Sequence, residues 1–341
     1  MRLPTQLTDQ FDKVVQHVER MGNVLSSSAT AVMVIHRDKV VTEHYGGRHG
    51  PAADSRPVQA DSRFHVASVR KSYLGFAAAY AVLNGDIASI DDPVLAYLPE
   101  LDPEVAAGTT IRHLLTHTHG LGSDEQGNLC RRFPAGTAWE YRNESIAMLA
   151  EIVKRTTGQT VAAILQKQVF APLQMTETGW QTEAAPELVQ LVMGPHEPPV
   201  VKLDQSPDGA GMNLYVSTRE LAYWGYLHLK KGNMEGRQIV PPSLIETATT
   251  IQSPLLEDKD SPQNGYLWFV KDLPAARTEL GERVPAGSYQ ILGYTGATLL
   301  VVPDCDLVAV RMYNRWGSSP GYDYLRDVKD FGNLVMDCVM K

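Results

Sequence analysis

Cysteine is scarce in this 341-residue chain: Cys130, Cys305 and Cys338 make up the whole inventory. An odd number at unrelated spacings excludes a disulfide framework and any cysteine-based metal motif. It fits thiols kept reduced in the cytosol. Long apolar runs are missing as well. No stretch approaches the ~20 consecutive apolar residues of a membrane span. Met1-Arg2-Leu3-Pro4-Thr5 leads into a charged segment without the apolar core of a secretory leader. Runs of five or more basic residues are absent, and 31 Lys and Arg against 39 Asp and Glu leave a formal net charge of −8. A net anion gains no counterion release from nucleic acid or an anionic membrane, so neither is expected as a partner. The expectation is a soluble, cytoplasmic protein.

What is present is ordinary for a globular chain, with 43% hydrophobic and 21% charged residues. The length suits one large domain or two intimate ones and buries a core without metal or disulfide staples. Phe11, Val14, Val15, Val18 and Met21 recur at helical spacing, with Gly22 where a C-terminal cap belongs. Ala31–Ile35 and Val40–Tyr45 read as strands around a turn at His36-Arg37-Asp38-Lys39. The far end repeats this with Thr298–Val302 and Leu307–Tyr313 around Pro303-Asp304-Cys305-Asp306, and a last amphipathic helix carries Leu325, Val328, Phe331, Val335 and Val339. The middle reads as mostly helical, with candidates at Ile111–Thr116, Ser145–Thr156 and Val161–Val169. Ser217 with Glu220 and Ser243 with Glu246 each fit the S-x-x-E box that starts a helix. There is no internal repeat and no long flexible linker. The pattern predicts a single α/β (α+β) unit over 1–341, in which both chain ends build one antiparallel sheet flanked by helices. Its α/β part covers about 1–85 and 205–341, and a mostly helical part about 86–204.

Phe64-His65-Val66-Ala67-Ser68-Val69-Arg70-Lys71 opens a strongly apolar helical stretch that runs to Leu83 and stops at Asn84-Gly85. Apolar residues cover all its sides, so this helix should be buried. Ser68 stands at its start and Lys71 one turn along the same face. The positive dipole end favours a developing oxyanion at the serine, and burial disfavours an ammonium, so Lys71 could accept the serine proton. On S-x-x-K alone, an N-cap serine beside a snorkelling lysine is the better account. Tyr141-Arg142-Asn143 then adds a phenol able to share the lysine's proton and an amide able to orient it, against the plainer alternatives of a packed aromatic and a helix cap. Gly293-Tyr294-Thr295-Gly296-Ala297-Thr298 enters a strand, where glycines let a ligand approach the backbone. There the Ala297 N–H could join that of Ser68 in an oxyanion hole.

In this order, S-x-x-K, Y-x-N and x-T-G on a C-terminal strand resemble the serine β-lactamase-like family. Its members include class C β-lactamases, D-alanyl-D-alanine peptidases, D-amino acid peptidases, carboxylesterases and some acyltransferases. Ile111 to Leu121 resembles the family's LLTHTSGL segment, Pro172 to Gly179 its PLGMTDTG turn, and Gly209 to Thr218 its GAGGLVST stretch. The resemblance implies a β-lactamase/transpeptidase-like fold and an acyl-enzyme mechanism. Ser68 would be the nucleophile, Lys71 its base and Tyr141 the proton shuttle, while Asn143 would hold Lys71 and the substrate. The amides of Ser68 and Ala297 would bind the oxyanion, beside Tyr294, Thr295 and Gly296. Penicillin-recognising members usually carry Lys at the first position of x-T-G and many esterase-like members His, whereas this chain has Tyr294. A neutral tyrosine offers a substrate carboxylate a single hydrogen bond. A hydrolase of small esters or amides is therefore expected ahead of a β-lactamase or D-amino acid peptidase, with an acyltransferase and a non-catalytic binding module as further alternatives.

Two rival motifs lead elsewhere. His113, His117 and His119 could suggest zinc, but the family segment accounts for His117 and no acidic or cysteine ligand stands nearby. Gly317-Ser318-Ser319-Pro320-Gly321 matches a nucleophile elbow, yet Pro320 lacks the N–H that the oxyanion needs, and the last histidine, His228, lies upstream. No metal or cofactor is expected, because side chains and backbone amides suffice for the chemistry. From nearness in sequence to the motifs, Tyr215, Trp180, Trp139, His119 and Tyr294 are candidates to line the pocket.

Overall fold

The computed structural model describes residues 3–340, so the Met1-Arg2 start of the supposed leaderless segment lies outside it. Strand 29–36 shows how the fold is layered. All its residues are buried, yet they belong to separate cores: Ala29, Ala31, Met33 and Ile35 to one, Val32 and Val34 to the other. A strand that alternates sides while staying buried has helices on both faces.

The sheet is antiparallel and seven-stranded, in the order 263–264, 269–271, 288–292, 298–302, 307–313, 29–36 and 39–47. The two chain ends meet inside it, where Thr30 to His36 pair with Tyr313 back to Leu307. Helices Asp12–Leu25 and Tyr324–Val339 cover one face and pack on each other, while helix Thr218–Leu229 covers the other. The expected α/β architecture built from both termini is thus present. The first hairpin turns on Arg37 and Asp38, both at positive φ (50° and 62°), the backbone hand that matches strand twist.

Several local expectations shift. Gly22 does not end the first helix, which runs to Leu25 and closes on Ser26 at φ 56°. A Cβ on Gly22 would sit 2.6 Å from Thr30 Cγ2, so the glycine permits helix–sheet contact. Ser217 caps its helix as expected, but Glu220 turns away to accept from the Thr176 and Glu177 amides and the Thr178 hydroxyl. Ser243 lies inside helix Pro242–Thr249, which proline starts, and Glu246 pairs with Lys231. The middle contains helices Ile111–Leu115, Glu144–Thr157 and Val161–Leu165, but also a small hairpin, Leu121–Ser123 with Leu129–Arg131. After Trp180 no helix forms until Thr218, in a stretch holding Pro186, Pro195, Pro198, Pro199 and Pro207.

A second, three-stranded sheet matters for the site. Strand 63–65 pairs with 214–217, which pairs with 178–180, tying the residues just before Ser68 to both parts of the chain. No helix among the described residues is long and apolar enough to cross a membrane.

Candidate active site

Ser68 sits in a single 3-10 turn, Ala67–Val69, that leads directly into helix Arg70–Leu83. Ala67 is held at φ 45°, a left-handed conformation that costs a non-glycine residue about 1 kcal/mol or more. The surroundings impose it. Thr295 Oγ1 donates to the His65 carbonyl at 3.0 Å, and Gly293 lies so close that a Cβ there would meet the Val66 oxygen at 2.3 Å. Thr295 is buried, so its side chain clamps the x-T-G segment to the strand before the serine. On the other side the helix is anchored by Trp224, which stacks on Tyr73 at 4.3 Å and donates to Ser72 at 3.0 Å.

One turn on, Lys71 is fully buried. Its Nζ lies 3.2 Å from Ser68 Oγ and 2.8 Å from Asn143 Oδ1, in hydrogen-bond contact with the Tyr141 hydroxyl. Burial, reinforced by the charge of Arg70, pulls the Lys71 pKa down to about 6. Burial pushes the Tyr141 phenol up to about 12, against the smaller opposing effects of Ser68 and Arg70. At neutral pH the shared proton therefore belongs to the phenol, and the amine is largely free base. Asn143 occupies the N-cap position of helix Glu144–Thr157, but its side chain makes no cap and serves Lys71 instead. The Tyr141 ring packs against His117 at 4.6 Å and lies nearly parallel to Phe269. His117 is kept neutral by burial.

The x-T-G segment closes the arrangement. The Gly293 amide donates to the Ala297 carbonyl at 2.8 Å, and Gly296, at φ 82°, makes the turn between them. Ala297 is buried at the head of strand 298–302. Ser68, Tyr141, Tyr294 and Gly296 open onto one cavity of about 360 Å³.

The Beta-lactamase family model matches residues 14–331. The chain belongs to the beta-lactamase family. Members of this family are in general serine hydrolases. Across its full length the chain is 49% identical over 340 residues to an uncharacterized protein of Alkalihalophilus pseudofirmus, covering all of both chains. It is 28% identical over 248 residues to esterase EstB of Burkholderia gladioli, spanning 61% of this chain and 60% of that one. Among solved structures, EstCE1, a hydrolase with promiscuous acyltransferase activity, superposes with a TM-score of 0.75 at 17% identity, covering 98% of this chain and 99% of that one.

Of the aromatic pocket candidates, only Tyr294 lines this cavity, with its ring edge-on to Trp316 at 5.3 Å. Tyr215 and Trp180 are buried elsewhere, and His119 Nδ1 accepts from the Leu121 amide at 3.0 Å. Trp139 stands behind Tyr141 and donates to Asn264 at 2.8 Å. His113 accepts from the Thr110 amide, and no group of metal-ligating side chains forms among the described residues. The Gly317–Gly321 match is a turn, with the Gly317 amide donating to the Tyr294 carbonyl. Gly317 and Ser318 of that turn line the cavity as well, and its other walls come from residues no motif marked: Leu25, Phe269, Glu279, Leu292, Tyr322 and Tyr324.

Proposed function

We propose that this beta-lactamase family protein hydrolyses small esters or amides through an acyl-enzyme on Ser68. The observation that carries the reading is the geometry around the serine, with the buried Lys71 Nζ 3.2 Å from Ser68 Oγ, 2.8 Å from Asn143 Oδ1 and in contact with the Tyr141 hydroxyl; burial draws Lys71 down to about 6 and raises Tyr141 to about 12. A free-base amine 3.2 Å from a hydroxyl is placed to take its proton.

In the proposed reaction Ser68 Oγ attacks the substrate carbonyl carbon as its proton passes to Lys71 Nζ. The oxyanion that forms is bound by the amides of Ser68 and Ala297; losing one such donor costs about 2.7–4 kcal/mol in comparable sites. Collapse breaks the carbonyl bond to the leaving group, which takes a proton delivered from Lys71 through the Tyr141 hydroxyl. Water then attacks the acyl-enzyme with Lys71 again accepting the proton; collapse breaks the acyl bond to Ser68 Oγ, which takes that proton back from Lys71 as the carboxylic acid departs. Asn143 keeps the amine pointed at the serine throughout. Ester-type substrates are favoured over penicillins because Tyr294, at the position where a lysine would greet a carboxylate, brings no charge.

The test is intact-protein mass after brief exposure to p-nitrophenyl butyrate. The wild-type chain should gain one butyryl group and release nitrophenol in a burst, and Ser68→Ala should gain none. An adduct of equal yield in the variant would move the nucleophile elsewhere, and a cephalosporin cleaved far faster than any simple ester would reverse the substrate preference.

A further inference from the structure

The wall of the cavity opposite in kind to its apolar lining is Glu279, on the loop that joins strands 269–271 and 288–292. Its Oε2 is buried without a hydrogen-bond partner, an expensive state for a carboxylate. The loop itself is pinned, because Gln290 Nε2 donates to the Glu279 carbonyl at 3.0 Å. The cation whose charge acts on it, Lys329, is occupied: it donates to the Ala276 carbonyl at 3.0 Å and pairs with Glu282 at 3.5 Å. Among the described residues that line the cavity there is no lysine or arginine.

Aromatic rings share the cavity with this carboxyl. Phe269, Tyr141, Tyr322 and Tyr324 line the same cavity, and the Tyr322 hydroxyl is turned away onto Asp327 at 2.6 Å, leaving its ring to the cavity. Several aromatic rings sharing a cavity with a carboxyl whose buried Oε2 has no partner make surroundings that favour an alkylammonium, through cation–π attraction and a direct ion pair. We propose that the cavity selects esters or amides whose acyl chain carries a cationic nitrogen, held by Glu279 among Phe269, Tyr322 and Tyr324. The proposal rests on the acyl-enzyme reading for the fate of the substrate, but not for its binding.

Burial pushes the Glu279 carboxyl up to about 7, with Lys329 drawing it only partly back. Tyr141 and Tyr324, the other titratable groups that feel it, have their own pKa values raised. The carboxylate, and with it the preference for a cation, should therefore strengthen as pH rises through neutrality.

The experiment uses the Ser68→Ala protein, in which ligand is not consumed. Calorimetric titration would compare the methyl ester of γ-trimethylammoniobutyrate with its neutral isostere, in which carbon replaces nitrogen. At about pH 8 the cation should bind at least ~10-fold more tightly. The ratio should shrink at about pH 6, fall to near unity in Ser68→Ala/Glu279→Gln, and persist in Ser68→Ala/Glu279→Asp. Equal binding of the two esters, or a preference unchanged by Glu279→Gln, overturns the proposal. Acylation of the wild-type chain by p-nitrophenyl butyrate separates the two ideas. Acylation without cation preference sinks this proposal alone, and cation preference without acylation sinks only the hydrolase reading.

Discussion

Two clusters of buried charge in this molecule resolve the cost of burial in opposite ways. Between the sheet and the terminal helices, Arg311 and Asp327 are both buried, with a guanidinium nitrogen 2.8 Å from the carboxylate. His17 and Tyr322 complete the carboxylate at 2.8 and 2.6 Å, and Arg311 faces the rings of Tyr313 and Phe331. Burial alone would push Asp327 up, but Arg311 and the two hydrogen bonds outweigh it and hold the carboxyl at about 2. Around Ser68 the outcome is reversed. Lys71 has no carboxylate and shares only neutral partners, so burial drives it toward the free base; Glu279 has no cation to itself, so burial drives it toward the acid. Paired charges stay ionised and hold the fold, while unpaired ones are left with pKa values near neutrality, where they can exchange protons or take a charged ligand.

The sharpest way to break this contrast is to remove one charge from each cluster. Lys71→Met should lower kcat/KM for p-nitrophenyl butyrate by about 10²–10⁴-fold, the usual worth of a general base. It should cost the fold about 1 kcal/mol or less, since the buried amine was unfavourable to begin with. Asp327→Ala should do the reverse. Leaving Arg311 buried and uncompensated should cost about 3–5 kcal/mol in urea denaturation at neutral pH. The contribution of Asp327 is present above its ordinary value of 3.8 and lost as pH falls through about 2, so the two proteins should converge in stability in strong acid. If Lys71→Met unfolds the chain and Asp327→Ala does not, the two clusters have been assigned the wrong way round.

A smaller effect sharpens the comparison at Glu279. A carboxyl moved from 4.5 up to about 7 on folding penalises the native state only where the unfolded chain would be ionised. The penalty grows from about pH 4.5 and is complete above 7. Glu279→Gln should therefore raise stability by about 1–3 kcal/mol at pH 8 and leave it nearly unchanged at pH 4. Thermal denaturation at the two pH values reads this directly, and no gain at pH 8 would mean that the carboxyl is solvated.

Much of the sheet and of the serine cluster was legible in the sequence because both rest on local rules. Strand 298–302 and strand 307–313 have the bounds their apolar runs imply, and Ser68 and Lys71 meet because three residues along a helix is one turn. Asn143 was ambiguous for a physical reason: it has the position of a helix cap and the contact of an active-site amide. Gly22 and Ser243 misled because the signals of helix ends ignore tertiary contact and proline. Glu279 and Tyr322 left no trace in pattern or spacing, since a loop between strands and the approach to the last helix are brought to the cavity only by the tertiary fold around the sheet. Tyr215 and Trp180 failed as pocket residues because nearness to a motif along the chain says nothing about which side of a strand faces it.

The most direct test of the central claim is the pH dependence of the acylation step itself. The nitrophenol burst on Ser68, followed by stopped flow from about pH 5 to pH 9, should rise with a midpoint near 6, where Lys71 loses its proton, and then stay level. A burst rate that keeps climbing toward the ordinary lysine value of 10.5 would show that Lys71 remains an ammonium at neutral pH, and the account of the site would fail.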